Sequence, residues 1–173
     1  MRHLHPDVVP HLLDGWRFCP RCGAALEFPE IGDLPRPRCP ACGFVHFRNP
    51  GVGAACVVYD DEKRVLMVRR SDSGLWCIPC GFCEWGEDIR HAAARECREE
   101  TGIEVEVGDV LQVMSNFHDP AKPTIGVWFA ATAVGGSLAA GDDAIDAAWF
   151  PPDHLPPLAF PTDEVLFDRL RAG

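Results

Sequence analysis

The sequence lacks a hydrophobic stretch of the roughly 18 residues that a membrane-spanning helix needs, and its first residues lack the basic-then-apolar order of a secretory signal peptide. It also lacks an excess of basic residues: 16 Lys and Arg are opposed by 26 Asp and Glu, which gives a formal net charge of −10. Binding along a nucleic-acid backbone requires clustered Lys and Arg to release counterions. We therefore expect a cytoplasmic protein with neither a membrane nor a nucleic acid as its partner.

Disulfide bonds are not expected either, because nine cysteines in a chain without an export signal indicate metal ligands or reduced thiols. Four of them form two Cys-x-x-Cys pairs, and each pair is followed by a glycine that suits a tight metal-binding turn. Four thiolates leave no open coordination position, so the pattern predicts a zinc ribbon with a structural Zn²⁺. Redox-active dithiols are the alternative, but no βαβ pattern surrounds either pair. The four predicted ligands are Cys19, Cys22, Cys39 and Cys42.

The domain organisation follows from composition and turn signals. Hydrophobic residues make up 47% of the chain and charged residues 24%, which excludes wholesale disorder. Asn49-Pro50-Gly51 is a turn signal and marks a predicted boundary. We predict an N-terminal segment at 1–15, a zinc ribbon at 16–50 and a main domain at 51–173.

The main domain has strands that flank helices without regular βαβ alternation. Apolar runs predict strands at Val52–Tyr59 and Arg64–Arg69, joined by a hairpin turn at Asp60-Asp61-Glu62-Lys63, and a long buried strand at Thr124–Val134. Amphipathic spacing predicts a final helix from Thr162 to Arg171. This order predicts an α/β or α+β sandwich, with a mixed sheet between helices.

The most informative stretch is a predicted helix that Asp88 caps and Gly102 ends. On this helix Glu96, Glu99 and Glu100 fall within an arc of about 100°. Carboxylates grouped in this way suit Mg²⁺ or Mn²⁺, although a solvated acidic face is the alternative interpretation.

The glycines around this helix decide between the two interpretations, because the pattern as a whole resembles the Nudix box. The residues that carry the resemblance are Gly81, Glu87, Arg95, Glu96, Glu99, Glu100, Gly102 and Ile103. The resemblance implies a Nudix α/β/α sandwich from about Val52 onward. With the zinc ribbon and the later Trp149-Phe150-Pro151-Pro152-Asp153, the chain is similar to zinc-ribbon Nudix hydrolases that act as ADP-ribose or related pyrophosphatases.

The resemblance also implies roles for the box residues. Glu96, Glu99 and Glu100 would hold Mg²⁺ or Mn²⁺, and Arg95 would orient Glu87 through a charge-assisted hydrogen bond. The backbone carbonyl of Cys80 would be a further metal ligand, at a position where the family commonly has glycine. The general base stays open among four carboxylates, which are Glu96, Asp142, Asp143 and Asp146.

The implied substrate is a small-molecule nucleotide, with ADP-ribose as the first choice and FAD or NADH as alternatives. NADH pyrophosphatases carry Ser-Gln-Pro-Trp after the box, whereas this chain has Ser115-Asn116-Phe117-His118. The residues that we predict to bind substrate are Arg69 and Arg70 for phosphate, Phe117 and Phe160 for a ring, and Asp143.

A non-catalytic alternative is a nucleotide-sensing module whose zinc ribbon holds a partner, but the intact set of carboxylates favours an enzyme. A homodimer is compatible with the resemblance. Cys77, Cys80, Cys83 and Cys97 are superficially similar to iron–sulfur ligands. We interpret them instead as small packing residues.

Overall fold

The structure is a computed structural model that describes residues 4–172. Residues 1–3 of the predicted N-terminal segment and residue 173 of the predicted main domain lie outside this range. The chain divides into two compact units: the first runs to Gly51 and includes Asp119–Pro123, and the second consists of Val52–His118 and the chain from Thr124 onward. Within the described part of the chain, no helix has both the length and the apolar character to cross a membrane.

The first unit has little regular structure. It contains a 3₁₀ turn at Val9–His11 and isolated antiparallel bridges such as Phe18–Ala25 and Glu27–Arg38. Its small core is built from two buried cysteines and Leu26, with Trp16, Ala24 and Phe44 packed around them.

The second unit carries the regular elements, and residue Gly51 extends its first strand. In chain order they are β1 (Gly51–Val58), β2 (Val65–Arg70), β3 (Trp76–Cys77), β4 (Cys80–Phe82), α1 (Ile89–Thr101), β5 (Ile103–Asn116), β6 (Thr124–Gly136), β7 (Ala144–Phe150) and α2 (Pro161–Ala172).

The strands form two sheets. One has the order β4-β1-β6-β5 and the other the order β3-β2-β7. β4 pairs antiparallel with β1, β6 with β5, and β2 with both of its neighbours. An isolated parallel bridge joins Trp76 to Leu158.

The two helices cover opposite faces of the strands. Successive side chains of a strand point to opposite sides, and here one set of alternate residues packs with α1 while the other set packs with α2. The first cluster comprises Ala54, Cys56, Val58, Leu66 and Phe129 with Ala92, Ala93 and Cys97. The second comprises Ala55, Val57, Val65, Met67 and Trp128 with Leu166 and Phe167. The predicted α/β sandwich is confirmed.

Two details of the sequence interpretation are wrong. In β6 only Trp128 and Phe129 are buried, and the strand is exposed from Thr132 to Gly136. It is therefore not buried along its length, and its exposed residues pair with β5 at the edge of the sheet. The turn between β1 and β2 does not join a hairpin of two paired strands either, since the strands belong to different sheets and meet at a single bridge, Tyr59–Val65.

Candidate active site

The three glutamates of α1 differ in their exposure to solvent. The helix begins after Asp88, whose side chain accepts a hydrogen bond from the Arg90 N–H at 2.9 Å, and it ends at Gly102, which has a φ of 71°. Within it Glu96 is 9% exposed and Glu100 only 2%, whereas Glu99 lies on the exposed side. Two of the three carboxylates are thus held in the protein interior.

Arg95 is the hub of this site. Its guanidinium binds Glu87 through two hydrogen bonds of 2.8 and 2.9 Å, and one of its terminal nitrogens contacts Glu96 at 2.7 Å and Glu99 at 2.9 Å. It also donates to the carbonyl of Phe82 at 3.0 Å. The pair with Arg95 holds the pKa of Glu87 at about 2. Arg95 therefore connects β4, the following loop and α1.

The start of β4 contacts both buried carboxylates. A Cβ atom on Gly81 would overlap the carboxylate of Glu96, so any other residue at this position would displace that side chain. The N–H of Cys80 donates to Glu100 Oε2 at 2.8 Å. β4 thus provides room for one carboxylate and a hydrogen bond for the other.

Burial makes the ionised forms of these two side chains costly. The pKa of Glu100 is raised to about 8, mainly by burial and also by the charges of Asp143 and Glu96, against the opposing effects of the Cys80 N–H and Arg70. Burial also raises the pKa of Glu96, which Arg95 lowers and both Glu99 and Asp142 raise.

The loop before β7 brings further carboxylates to this site. The Gly141 N–H donates to the Glu100 carbonyl at 3.1 Å, and the charges of Asp142 and Asp143 act on Glu96 and Glu100 as described above. Asp146 is instead bound to the N–H of Ala147 at 2.9 Å. The structure thus brings the two loop acids, Asp142 and Asp143, near the glutamates of α1, whereas Asp146 lies within β7.

The predicted substrate-binding residues separate in the structure. Arg70 lies over the ring of Phe160, with its guanidinium carbon 5.2 Å from the ring centroid, and its charge lowers the pKa of Glu100. Arg69 points to the adjacent turn and donates to the Gly74 carbonyl at 2.9 Å. Phe117 is 36% exposed, and its role in binding a ring stays a prediction. Arg70 and Phe160 thus lie together on the side of Glu100.

Sequence reasoning missed two residues here. The ring of His118 lies 5.0 Å from that of Phe160, measured between centroids. Asp163 is 2% exposed and accepts hydrogen bonds from the Ile78 N–H at 3.2 Å and from Trp128 Nε1 at 3.1 Å. His118 gave no pattern signal, but an Asp in the first turn of an amphipathic helix could have been singled out as a capping residue.

The oxygen atoms around Glu100 suit the coordination of a hard divalent cation. Carboxylate and carbonyl oxygens are the ligands that Mg²⁺ and Mn²⁺ prefer, and a buried carboxylate with one neutral hydrogen-bond donor is poorly compensated without a cation. The glutamate oxygens are not gathered as tightly as the zinc-ribbon thiols, since Arg95 lies between Glu96 and Glu99.

The tightest metal-ligand group lies in the first unit. Among residues 4–172, Cys19, Cys22, Cys39 and Cys42 are the only set of three or more His, Cys, Asp or Glu side chains whose ligand atoms all lie within 4.8 Å of one another. The thiols are free, with Sγ–Sγ distances of 3.6 Å between Cys19 and Cys42 and 3.5 Å between Cys22 and Cys39.

Both knuckles have the geometry that their sequence predicts. Gly23 and Gly43 have φ values of 76° and 73°, and each donates its N–H to the carbonyl of the first cysteine of its pair, at 2.9 and 3.0 Å. The Arg21 N–H also donates to the Cys19 sulfur at 3.4 Å. Four thiols in this arrangement suit a tetrahedral zinc ion.

The remaining cysteines do not form a second cluster in the described residues. Cys56 and Cys97 are buried in the core beneath α1, and Cys77 is buried beside Val68. Cys83 is partly buried and contacts the Glu87 carbonyl at 3.4 Å. These positions agree with packing roles.

Two family profiles and several known proteins match this chain. The family profile described as NUDIX domain matches residues 49–170, and the one described as Nudix N-terminal, a zinc ribbon, matches residues 17–48. The ADP-ribose pyrophosphatase of Methanocaldococcus jannaschii is 35% identical over 128 residues, which are 72% of this chain and 76% of that protein.

Two further similarities are informative. The NAD-capped RNA hydrolase NudC of Pseudomonas aeruginosa is 30% identical over 146 residues, 82% of this chain, but the chain spans only half of its length. The crystal structure of a NUDIX hydrolase from Nitrosomonas europaea superposes with a TM-score of 0.80 at 28% identity, covering 91% of this chain and 93% of the other.

Proposed function

The chain belongs to the Nudix hydrolase family, and from this premise we propose that it hydrolyses the pyrophosphate bond of ADP-ribose with the help of divalent cations. The observation that carries the proposal is the pair of buried carboxylates of α1, Glu96 and Glu100. Arg95 of the same helix binds the first of them. The choice of ADP-ribose is supported by the similarity to a relative named ADP-ribose pyrophosphatase, of which the chain covers 76%.

In the proposed mechanism Glu96, Glu99, Glu100 and the Cys80 carbonyl hold Mg²⁺ or Mn²⁺. When bound, such ions neutralise phosphate oxygens and acidify the attacking water. Arg95 keeps its neighbouring carboxylates in place, because it spans Glu87, Glu96 and Glu99 with charge-assisted hydrogen bonds.

The proton of the attacking water passes to a carboxylate at the site. Glu96, Asp142 and Asp143 are the candidates, and Asp146 is set aside because it is bound to its own neighbour in β7. The base is the residue whose removal eliminates the acidic limb of the pH–rate profile while the protein still binds the cation.

The remainder of the substrate extends from Glu100 toward Arg70 and Phe160. The guanidinium of Arg70, which donates to Asp72 at 3.0 and 2.7 Å, would exchange that carboxylate for a phosphate oxygen. The Phe160 and His118 rings offer an apolar surface to the nucleobase. We place Arg69 outside this pocket because its side chain is bound to the Gly74 carbonyl.

The test is a substrate panel of ADP-ribose, NADH and FAD with Mg²⁺ or Mn²⁺, read as phosphate released after phosphatase coupling. We expect ADP-ribose to have the highest kcat/KM. Glu100→Gln should lower that turnover by about two orders of magnitude or more, since the amide keeps the hydrogen bond from Cys80 but loses the charge. Glu106→Gln, the same change at an exposed position of β5, is the matched control.

Other results would lead to different conclusions. A higher kcat/KM for NADH or FAD would replace the substrate but retain the reaction. Binding of ADP-ribose without turnover of any substrate would favour the sensing module instead.

A further inference from the structure

The turn between β3 and β4 is held between two buried carboxylates that come from opposite faces of the sandwich. Glu100 of α1 accepts the N–H of Cys80 at 2.8 Å, and Asp163 of α2 accepts the N–H of Ile78 at 3.2 Å. Both side chains are 2% exposed. The two donors are separated only by Pro79, so each carboxylate fixes one end of the same short segment.

Asp163 contacts more than this turn. Its second oxygen accepts the indole N–H of Trp128 at 3.1 Å, and its own backbone N–H donates to the Phe160 carbonyl at 3.0 Å. Both oxygens thus have a neutral donor, and no basic side chain contacts them among the described residues. A buried carboxylate without a cationic partner is costly to retain, and burial raises its pKa to about 6.

The segment between the two carboxylates is stiff enough to transmit a displacement. Proline fixes the φ angle of residue 79, and the Pro79 carbonyl accepts the Cys56 N–H of β1 at 3.1 Å. A shift of Ile78 away from Asp163 would therefore move the Cys80 amide relative to Glu100.

We propose that Asp163 is a positioning residue for the divalent-cation site, acting through the Ile78–Cys80 turn on the amide and carbonyl of Cys80. This inference rests on the proposed function, because Glu100 and Cys80 are proposed ligands. The backbone N–H of Asp163 also donates to the Phe160 carbonyl, so one residue contacts the cation end of the site through its side chain and the nucleobase end through its backbone.

The test uses Asp163→Asn, Trp128→Phe and the double variant. An asparagine has one acceptor oxygen, so its NH₂ group must face one of the two N–H donors. Trp128→Phe removes one donor, and the asparagine oxygen can then accept from Ile78. Asp168→Asn, at an exposed position of the same helix, is the matched control.

The main readout is Mn²⁺ binding to the zinc-loaded protein without substrate, followed by electron paramagnetic resonance of the free ion. Loss of an outer hydrogen-bond partner weakens metal binding by about 10- to 100-fold, so we expect at least a tenfold increase in the Mn²⁺ Kd for D163N. W128F and the D168N control should stay within about threefold of the wild type, and the double variant should regain the affinity of W128F.

Three outcomes overturn the positioning role: folded D163N that binds Mn²⁺ as the wild type does, a double variant no better than D163N, or a wild type that binds no Mn²⁺. If D163N does not fold, the test rests on the double variant. A double variant that binds Mn²⁺ ten times more weakly than W128F would then also overturn the positioning role. ADP-ribose turnover by the wild type is measured separately, so the positioning role and the proposed function can fail independently.

Discussion

At the scale of single residues, Glu100 shows how the site balances stability against function. Its carboxylate is nearly inaccessible, has one N–H donor from Cys80, and lies near the negative charges of Asp143 and Glu96. Such a side chain costs stability when ionised. The cost is acceptable if a cation offsets it in the working enzyme.

This balance predicts a pH dependence of stability in the zinc-loaded protein without Mg²⁺. The pKa of Glu100 is raised from 4.5 in the unfolded chain to about 8 in the folded protein. The protonated side chain therefore makes its full contribution to stability below the unfolded pKa, and this contribution is lost as the pH rises through the folded pKa. We expect the free energy of unfolding to fall more steeply between about pH 5 and pH 8 in the wild type than in Glu100→Gln.

The measurement is denaturant unfolding at several pH values, with and without added Mg²⁺. Added Mg²⁺ should flatten the pH dependence of the wild type and leave that of Glu100→Gln nearly unchanged. Parallel pH profiles for the two proteins in the absence of Mg²⁺ would contradict the role given to Glu100.

Gly81 supports a second prediction at this scale. Gly81→Ala places a Cβ in the volume of the Glu96 carboxylate, so that side chain must move, and we expect turnover to fall by about two orders of magnitude in a folded protein. Gly53→Ala on the neighbouring β1 is the control, since its Cβ would lie 3.5 Å from the Gly81 carbonyl oxygen, an ordinary contact. Equal kcat values for the two variants would mean that Glu96 tolerates displacement.

At the scale of elements, Arg95 determines how α1 meets β4. It donates to the Phe82 carbonyl of the strand and to Glu87 of the loop while its own backbone belongs to the helix. A planar guanidinium can make these contacts together, whereas an ammonium cannot reproduce the fork.

We therefore predict that Arg95→Lys lowers kcat by about one to two orders of magnitude at nearly constant melting temperature. Circular dichroism and steady-state kinetics with saturating Mg²⁺ measure the two quantities. Arg90→Lys is the control, because Arg90 lies in the first turn of the same helix and contacts Gly108 instead of the carboxylates. A lysine variant with wild-type kcat would show that the charge alone suffices.

The elements also show what a sequence can reveal. The bounds of α1 were predictable because both signals are local: Asp88 accepts the Arg90 N–H and Gly102 takes a positive φ. The burial of β6 was not, because it depends on which strand lies beside each residue, and β5 at the sheet edge leaves Val134 exposed. The contact of Asp163 with Ile78 joins residues 85 positions apart, so no local pattern indicates it.

The same distinction applies to the site. The box spacing predicted a helix whose glutamates share one side, and the structure places Glu96 and Glu100 in the interior. Adjacent strand residues point to opposite faces, so only one of Arg69 and Arg70 was to be expected at the site. Which of the two it is could not be predicted, since that depends on how β2 packs in the fold, and Arg69 contacts the Gly74 carbonyl. His118 needed the long β5–β6 pair to bring its ring to Phe160.

At the scale of the whole molecule, an acidic protein must bring an anionic substrate to a cluster of carboxylates. The net charge of −10 opposes that approach, and bound divalent cations together with Arg70 would reverse the sign locally. The proposed preference for a small nucleotide is consistent with this, because a short diphosphate meets only the local field, whereas a long polyanion meets the whole surface.

The zinc ribbon gives the last prediction, which concerns the metal content of the chain. The first unit has a core of a few residues around two of the cysteine ligands, so metal binding must supply much of its folding free energy. We expect one zinc per chain and no iron in the wild type by elemental analysis. Cys39→Ser removes a ligand that is 1% exposed and should release the zinc. Limited proteolysis of that variant should then cleave within residues 17–48 and leave a resistant fragment that contains α1.

Cys83→Ser is the control, because Cys83 lies outside the four-thiol group and its replacement should change neither zinc content nor cleavage. Zinc retained by Cys39→Ser, or zinc lost from Cys83→Ser, would contradict the assignment of the metal to these four thiols.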